Sequence, residues 1–316
     1  MTAVAKPGLG YGPPEQEMDR EDLPQRVVSA KVPLGKRLVA LWASRELLGF
    51  LVRKELKVRY KNSVLGFVWS FLNPALVLLI YYVVFKYFLH NTQPDFALYL
   101  FAGLLAWNLF NNSLLSASGV LVSHAGIVKK VAFSREILAL AQVGTAICYF
   151  FFQTCILVVF LAGFQVLPDF TYVPLLLLAF VADVILSAGL AVFLSAVNVY
   201  LRDVQHFVEV LLVALFFSPP IVYAFHGVGL TKFHLRMFYE ANPLLWIVLA
   251  FQRCLYGNVV PPGGKAVTGG TLFVMPRWGM GTYYIGVGAV IVGGLLICLF
   301  AMIVFGRVEG NFAEEL

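Results

Sequence analysis

Charge is what this sequence has least of: Asp, Glu, Lys and Arg together make up 13% of its 316 residues, against 60% hydrophobic. So few polar groups cannot cover a water-soluble globule of this size, which leaves a polytopic membrane protein. Cysteine is scarce too. Cys148, Cys155, Cys254 and Cys298 form no C-x-x-C pair and have no histidine at ligand spacing; three lie inside apolar runs, so small apolar packing accounts for them and no metal site is read. The five histidines are scattered, and no nucleophile–base pair or paired carboxylate occurs at a catalytic spacing, so the chain itself is expected to perform no covalent chemistry. A nucleotide-binding loop is missing as well. The Gly-Gly-Lys of 263–265 has its first glycine out of register for G-x-x-x-x-G-K-[ST], and Ala266 stands where the hydroxyl is needed. No cleaved signal peptide is expected, because the first apolar run starts only at residue 66 and no small-residue cleavage site follows it.

What is present is organised around residues 53–89, where a basic amphipathic run passes without a linker into a long apolar one. At about 100° per residue, Arg53, Lys57 and Lys61 of the stretch 41–62 share one side, with Leu48, Leu51, Val52 and Leu56 opposite; Arg45, Glu55 and Arg59 break the pattern. Such a helix lies in the headgroup layer, cations toward anionic lipid and apolar groups in the acyl boundary. From Gly66 to Leu89 only Lys86 is charged, and a helix of that length would reach roughly 36 Å, enough for a hydrocarbon core of roughly 30 Å.

Residues 1–40, with six prolines or glycines before Glu15 and then an acidic patch, are expected to be a largely disordered tail. Five further spans are predicted at 97–122, 142–164, 172–198, 207–225 and 283–305. The expected fold is thus an all-α membrane domain over 63–316 with six transmembrane helices. In the one long loop, Asn242-Pro243 opens LLWIVLAFQRCLYGN, too short to cross with Gln252 and Arg253 in it and suited to an external re-entrant helix. With both termini on the cytoplasmic side, 17 of the 23 Lys and Arg fall inside and five outside, while Lys86 sits within a span; the inverted topology is hard to reconcile with this bias. The net charge of +6 is therefore read as membrane orientation, and no nucleic-acid partner is inferred.

Several polar and aromatic patterns lie within the spans. Phe67, Phe71, Pro74, Leu78, Tyr81, Tyr82 and Phe85 fall along one line of the first span, an aromatic stripe on which sugar rings can stack or neighbouring helices can pack. Asp183 lies in the body of the fourth, where an ionised carboxylate costs roughly 2.5–3.5 kcal/mol, so it is expected to face protein or a wet cavity. Asn108, Asn112 and Ser116 form an i, i+4, i+8 row suited to interhelical hydrogen bonding. Gly286 and Gly293 share a face of the last span and suggest close packing.

The segment RYKNSVLGFVWSFLNP at 59–74 closely resembles the membrane subunit of ABC-2-type exporters, in the branch that exports lipid-linked polysaccharides such as O-antigen, teichoic acid and cell-wall galactan. LVSHAGIVKKVAFSREILAL at 121–140, VNVYLRDVQHFV at 197–208, SPPIVY at 218–223 and the Asn-Pro of 242–243 extend the likeness, in order, over about 45–305. Two features depart from it: Ala224-Phe225 replaces a frequent proline, and no acid lies between Asn242 and Arg253. The likeness is nearest in character to galactan exporters of actinobacterial envelopes. It implies a homodimeric permease of the cytoplasmic membrane, working with two copies of a separate ATPase subunit that binds ATP and Mg; this chain would hold no cofactor. Docking of that subunit is expected at Ile127, Val128, Lys129 and Lys130 with Arg135 and Glu136, while Arg53, Lys57, Arg59 and Lys61 would form the entrance for a lipid pyrophosphate headgroup or simply anchor to anionic lipid. An exporter of a small lipid or drug is the nearer alternative. A polyprenyl-dependent glycosyltransferase is the farther one, and its carboxylate pair is missing, since Asp95, Asp169 and Glu240 stand isolated.

Overall fold

The computed structural model describes residues 34–59, 61, 63, 65–88, 95–129, 133–225, 237, 239–259, 274–276 and 278–315. Every regular element among them is helical. Two helices open the described chain, α1 (Leu34–Ala43) and α2 (Arg45–Arg59). A 3₁₀ turn at Gly66–Val68 leads into α3 (Trp69–Val83), which winds on as a π-helix over Val84–Phe88. Next come α4 (Phe96–Ser118) and two short turns, α5 (Val120–Ser123) and α6 (Ala125–Val128). The long helices α7 (Glu136–Phe164) and α8 (Val173–Tyr200) follow, then α9 (Val204–Phe216). The chain closes with α10 (Pro243–Tyr256), α11 (Met280–Val308) and α12 (Phe312–Glu315).

Among the described residues, four helical stretches are long and apolar enough to cross a membrane: Phe96–Ser118, Glu136–Gly163, Phe170–Tyr200 and Met280–Asn311. Three shorter apolar helices, α3, α9 and α10, accompany them. With its 3₁₀ lead-in and π extension, α3 forms a continuous coil over 66–88. The stretch expected to span at 207–225 instead ends its helix at Phe216, because Ser218-Pro219-Pro220 follows and a proline disfavours helical backbone in the residue before it. α1 begins at Leu34, inside the last part of the expected 1–40 tail, and residues 1–33 lie outside the described residues.

At the centre stands α4, apolar almost all round and buried almost all round, as such a helix must be. It packs against α7, α8 and α10, and α8 in turn lies along α11. That last pair approaches closely at Gly189, where a Cβ would sit 2.9 Å from the Cys298 backbone nitrogen. Of the two glycines singled out on the last span, Gly286 lies under the Trp246 ring, whereas Gly293 meets nothing within 4 Å and its neighbour Gly294 makes the close contact with Leu186. Small residues matter here because lipid offers no hydrophobic drive to helix association, so van der Waals contact has to supply it.

The two ends of the bundle differ. The basal end gathers α1, α2, the start of α7 and the last turns of the chain around a second apolar cluster containing Leu51, Leu121, Val128 and Phe312. The distal end holds α10 and the 218–225 segment. There Asn242 Oδ1 accepts from the Leu244 N–H at 3.0 Å and caps α10, with Pro243 in its first turn.

Candidate functional site: a polar cleft and two anchored ends

Two rows of polar side chains face each other across the α4–α7 contact. On α4 the row is Asn108, Asn112 and Ser116. On α7 it is Gln142, Thr145, Tyr149 and Gln153, spaced i, i+3, i+7, i+11 and so on one face. Asn108 Nδ2 donates to Gln153 Oε1 at 3.1 Å, the expected interhelical bond. Below it the rows part. One cavity of about 270 Å³ is lined by Glu55, Val58, Arg59, Asn112, Ser116, Gln142, Thr145, Ala146 and Tyr149. A second, of about 300 Å³, is lined by Arg59, Ser63, Trp69, Ser70, Asn73, Pro74, Asn112, Tyr149 and Gln153. They share Arg59, Asn112 and Tyr149 and so form one cleft bounded by α2, α3, α4 and α7.

The Arg59 guanidinium lies 4.7 Å from the centre of the Tyr149 ring, a cation–π contact worth about 0.5–2 kcal/mol depending on its desolvation. Among the described residues no carboxylate lies within ion-pair distance of Arg59. The other expected headgroup cations, Arg53, Lys57 and Lys61, are exposed, as Arg59 is, but line neither cavity.

The structure spreads the aromatic stripe over several neighbours. Phe71 lies 5.6 Å from the Phe152 ring, Tyr81 6.4 Å from Phe216, Phe85 5.1 Å from Phe96, and Tyr82 is edge-on to Tyr87 at 6.3 Å. The Phe67 side chain and Lys86 side chain lie outside what is described. Tyr81 also lines a third cavity of about 490 Å³ between α3, α4 and α9, with Trp107, Asn108, Asn111 and Phe216 among its walls.

At the basal end, the pair expected to dock a partner is turned inward. Arg37 Nη1 donates to Glu136 Oε1 at 2.6 Å and Arg37 Nη2 to Glu309 Oε2 at 2.5 Å, with Arg37 and Glu136 8% and 3% exposed. Arg135 Nη1 donates to the Glu309 carbonyl at 2.6 Å, and its guanidinium lies over the Phe312 ring. These contacts tie α1 and the chain's last turns to the start of α7. Of the remaining docking residues, Val128 is buried, Ile127 and Lys129 are exposed, and Lys130 lies outside the described residues. His124 joins this segment to α2: its Nε2 is 3.0 Å from Lys54 Nζ and 3.7 Å from Glu55 Oε1.

The distal end is tied mostly by neutral groups. Tyr99 OH, fully buried on α4, lies 2.6 Å from the Pro220 carbonyl and 2.9 Å from that of Tyr223. Gln252 Nε2 donates to the same Pro220 carbonyl at 2.9 Å, and Asn242 Nδ2 donates to Ser218 Oγ. Trp246 and Trp278 stack at 5.0 Å. Arg253 Nη2 donates to Tyr172 OH at 3.2 Å with its guanidinium over that ring. Asp169, one of the isolated acids, caps the 3₁₀ turn at Phe170–Tyr172. Asp183 is fully buried in protein, its Oδ1 accepting from Ser187 Oγ at 3.3 Å. Among the described residues no group of three His, Cys, Asp or Glu is placed to hold a metal ion.

Residues 46–256 match the ABC-2 type transporter family. The chain belongs to that family. The ABC-2 chain is 29% identical over 271 residues to the O-antigen export system permease protein RfbA of Klebsiella pneumoniae, covering 86% of this chain and 95% of that one. It is 29% identical over 238 residues to the RfbA of Myxococcus xanthus, covering 75% and 91%. It is also 26% identical over 217 residues to the polysialic acid transport protein KpsM of Escherichia coli, covering 67% and 82%.

Reading the ABC-2 sequence along one helix at a time finds the α4 row and passes over its partner on α7, although the same periodicity would have shown it. Arg37 and Glu309 gave no such signal. The partners of Arg37, Glu136 and Glu309, lie 99 and 272 positions away from it.

Proposed function

We propose that this chain is the permease subunit of an ATP-driven exporter that moves a lipid-linked polysaccharide out across the cytoplasmic membrane. The observation that carries the proposal is the alignment over nearly the full length of polysaccharide-export permeases, within a family matched across 46–256. The sequence agrees with it, since the chain has apolar spans and no phosphate-binding loop of its own, so a pump built on it needs an ATPase from elsewhere.

In this reading two copies pair and two ATPase subunits bind at the basal, cytoplasmic end, where Ile127 and Lys129 are the exposed docking residues and Lys130 adds charge next to them. Arg135 and Glu136 instead brace the platform from within. Both termini are cytoplasmic, α3 and α9 complete six spans together with the four long helices, and α10 enters the outer leaflet and returns. The cavity walled by Tyr81, Trp107 and Phe216 contributes to the path, where aromatic faces and the Asn108 and Asn111 amides would let a glycan slide. A cell-wall galactan is the proposed cargo within the polysaccharide class.

The test is genetic and chemical. Depleting the protein should trap lipid-linked glycan on the cytoplasmic side, and re-expression should restore its appearance outside. Glycan reaching the outer face at the normal rate after depletion would refute the proposal. Single alanine replacements of Phe71, Tyr81 and Phe85 should lower export at unchanged protein level; export unaffected by all three would remove the stripe from the path.

A further inference from the structure

The headgroup cations Arg53, Lys57, Arg59 and Lys61 are equivalent in the sequence, and the structure separates them. All four are exposed, but of them only Arg59 lines the cleft between α2, α3, α4 and α7; Arg53, Lys57 and Lys61 line neither of its cavities. We infer that this cleft, within a single protomer, is a binding site for the phosphate of a lipid headgroup, with Arg59 as its cation and Asn112 as its central hydrogen-bond donor. The inference rests on the lipid-linked substrate class proposed above and adds the place where the headgroup is held.

Three observations point to an anion. First, the guanidinium has no carboxylate partner within ion-pair distance among the described residues, and it is set against Tyr149, thirteen residues beyond Glu136 and so about 20 Å along α7. A cation carried that far along a membrane helix is costly unless it faces water or a counter-charge, and the cleft offers room for both. Second, the walls around it are neutral amides and hydroxyls, which donate hydrogen bonds to phosphoryl oxygens without competing for the guanidinium. The one acid of the lining, Glu55, has Lys54 Nζ at 3.3 Å and His124 Nε2 at 3.7 Å. Third, the upper cavity includes Trp69, whose exposed indole begins the outward face of α3 that continues through Leu76, Leu79 and Ile80. A head in the cleft would leave its chain along that apolar face.

Phosphate on a lipid comes from two sources, a polyprenyl carrier or an ordinary anionic phospholipid, and binding distinguishes them. The full-length protein in phosphatidylcholine nanodiscs is titrated with farnesyl diphosphate, with farnesol as the phosphate-free control, and bound ligand is counted by native mass spectrometry. Farnesyl diphosphate should bind and farnesol should not. Arg59→Gln should weaken binding about tenfold or more and Asn112→Ala several-fold, as expected for lost hydrogen bonds to a charged group, while the Arg53→Gln/Lys57→Gln double variant stays close to the parent. If phosphatidylglycerol displaces the diphosphate at equal concentration, the site stands with phospholipid as its occupant; if it does not, the carrier is the occupant. Equal binding by Arg59→Gln, Asn112→Ala and the parent would overturn the inference. So would an equal loss in the Arg53/Lys57 variant, which would show unspecific attraction to surface charge. The assay uses neither ATPase nor polysaccharide, so failure of the cleft and failure of the export reading are separate results.

Discussion

The basal and distal ends of this bundle are held by different chemistry. At the basal end charges do the holding: Arg37 bridges Glu136 and Glu309, and Lys54, Glu55 and His124 join α2 to the segment before α7. At the distal end the ties are Tyr99, Gln252 and Asn242 reaching carbonyl and hydroxyl oxygens of 218–223, under stacked indoles. The difference fits what each end has to do in the proposed function. In the proposed orientation the cations near the first span keep the basal end on the cytoplasmic side, where a surface meeting a moving ATPase would benefit from ionic contacts that can exchange partners. In the same orientation the distal end would be carried across lipid during insertion, which favours neutral hydrogen bonds, whose transfer costs far less than that of a charge; Arg253, held on Tyr172, is the charged exception.

Substitutions test this contrast. The largest effect is expected at the basal end. Arg37→Met takes the cation from the buried Glu136 carboxylate and should cost about 3–5 kcal/mol, read as a fall in the thermal midpoint of the detergent-solubilised protein, whereas an Arg37→Met/Glu136→Leu pair should sit much closer to the parent. If the single variant melts like the parent, the basal clamp does not hold that end. At the distal end Tyr99→Phe deprives the Pro220 and Tyr223 carbonyls of a donor and should cost about 1–3 kcal/mol; limited proteolysis should then cut near 218–225 before it cuts anywhere in α4. Gly189→Ala, placed between the two ends, pushes a methyl against the α11 backbone, and overpacking of that kind costs about 1–3 kcal/mol, measurable by the same melting curve. The smallest effect belongs to Lys54→Ala. Its pair with Glu55 is partly exposed and should contribute no more than about 1 kcal/mol, with a difference from the parent that shrinks as salt is raised.

The sequence carried the parts of this architecture that are local. Asn242-Pro243 announced α10 because a capping amide followed by proline is a helix start written in consecutive residues, and the four long helices show as long, mostly apolar runs with few charges. The shortened α9 was also written locally, in Ser218-Pro219-Pro220, but the apolar run outweighed it. What could not be read was pairing over distance. Nothing near Arg37 says that its partners are Glu136 and Glu309, so α1 looked like tail and Arg135 and Glu136 looked free for a partner. The same limit applies to Arg59. Its position broke the amphipathic pattern of 41–62, and only the fold shows that the departure carries it to Tyr149 and the cleft.

The central claim, that this chain moves a lipid-linked polysaccharide with energy from a partner ATPase, is tested most directly by reconstitution. The permease and its ATPase subunit are placed together in proteoliposomes loaded with lipid-linked glycan in the leaflet facing the ATPase, and glycan newly accessible on the opposite face is measured with and without ATP. The account predicts transfer that requires ATP and both proteins, and that falls when Arg59 is replaced by Gln. Transfer at the same rate without ATP, or none with the complete system while a small lipid crosses, would contradict it.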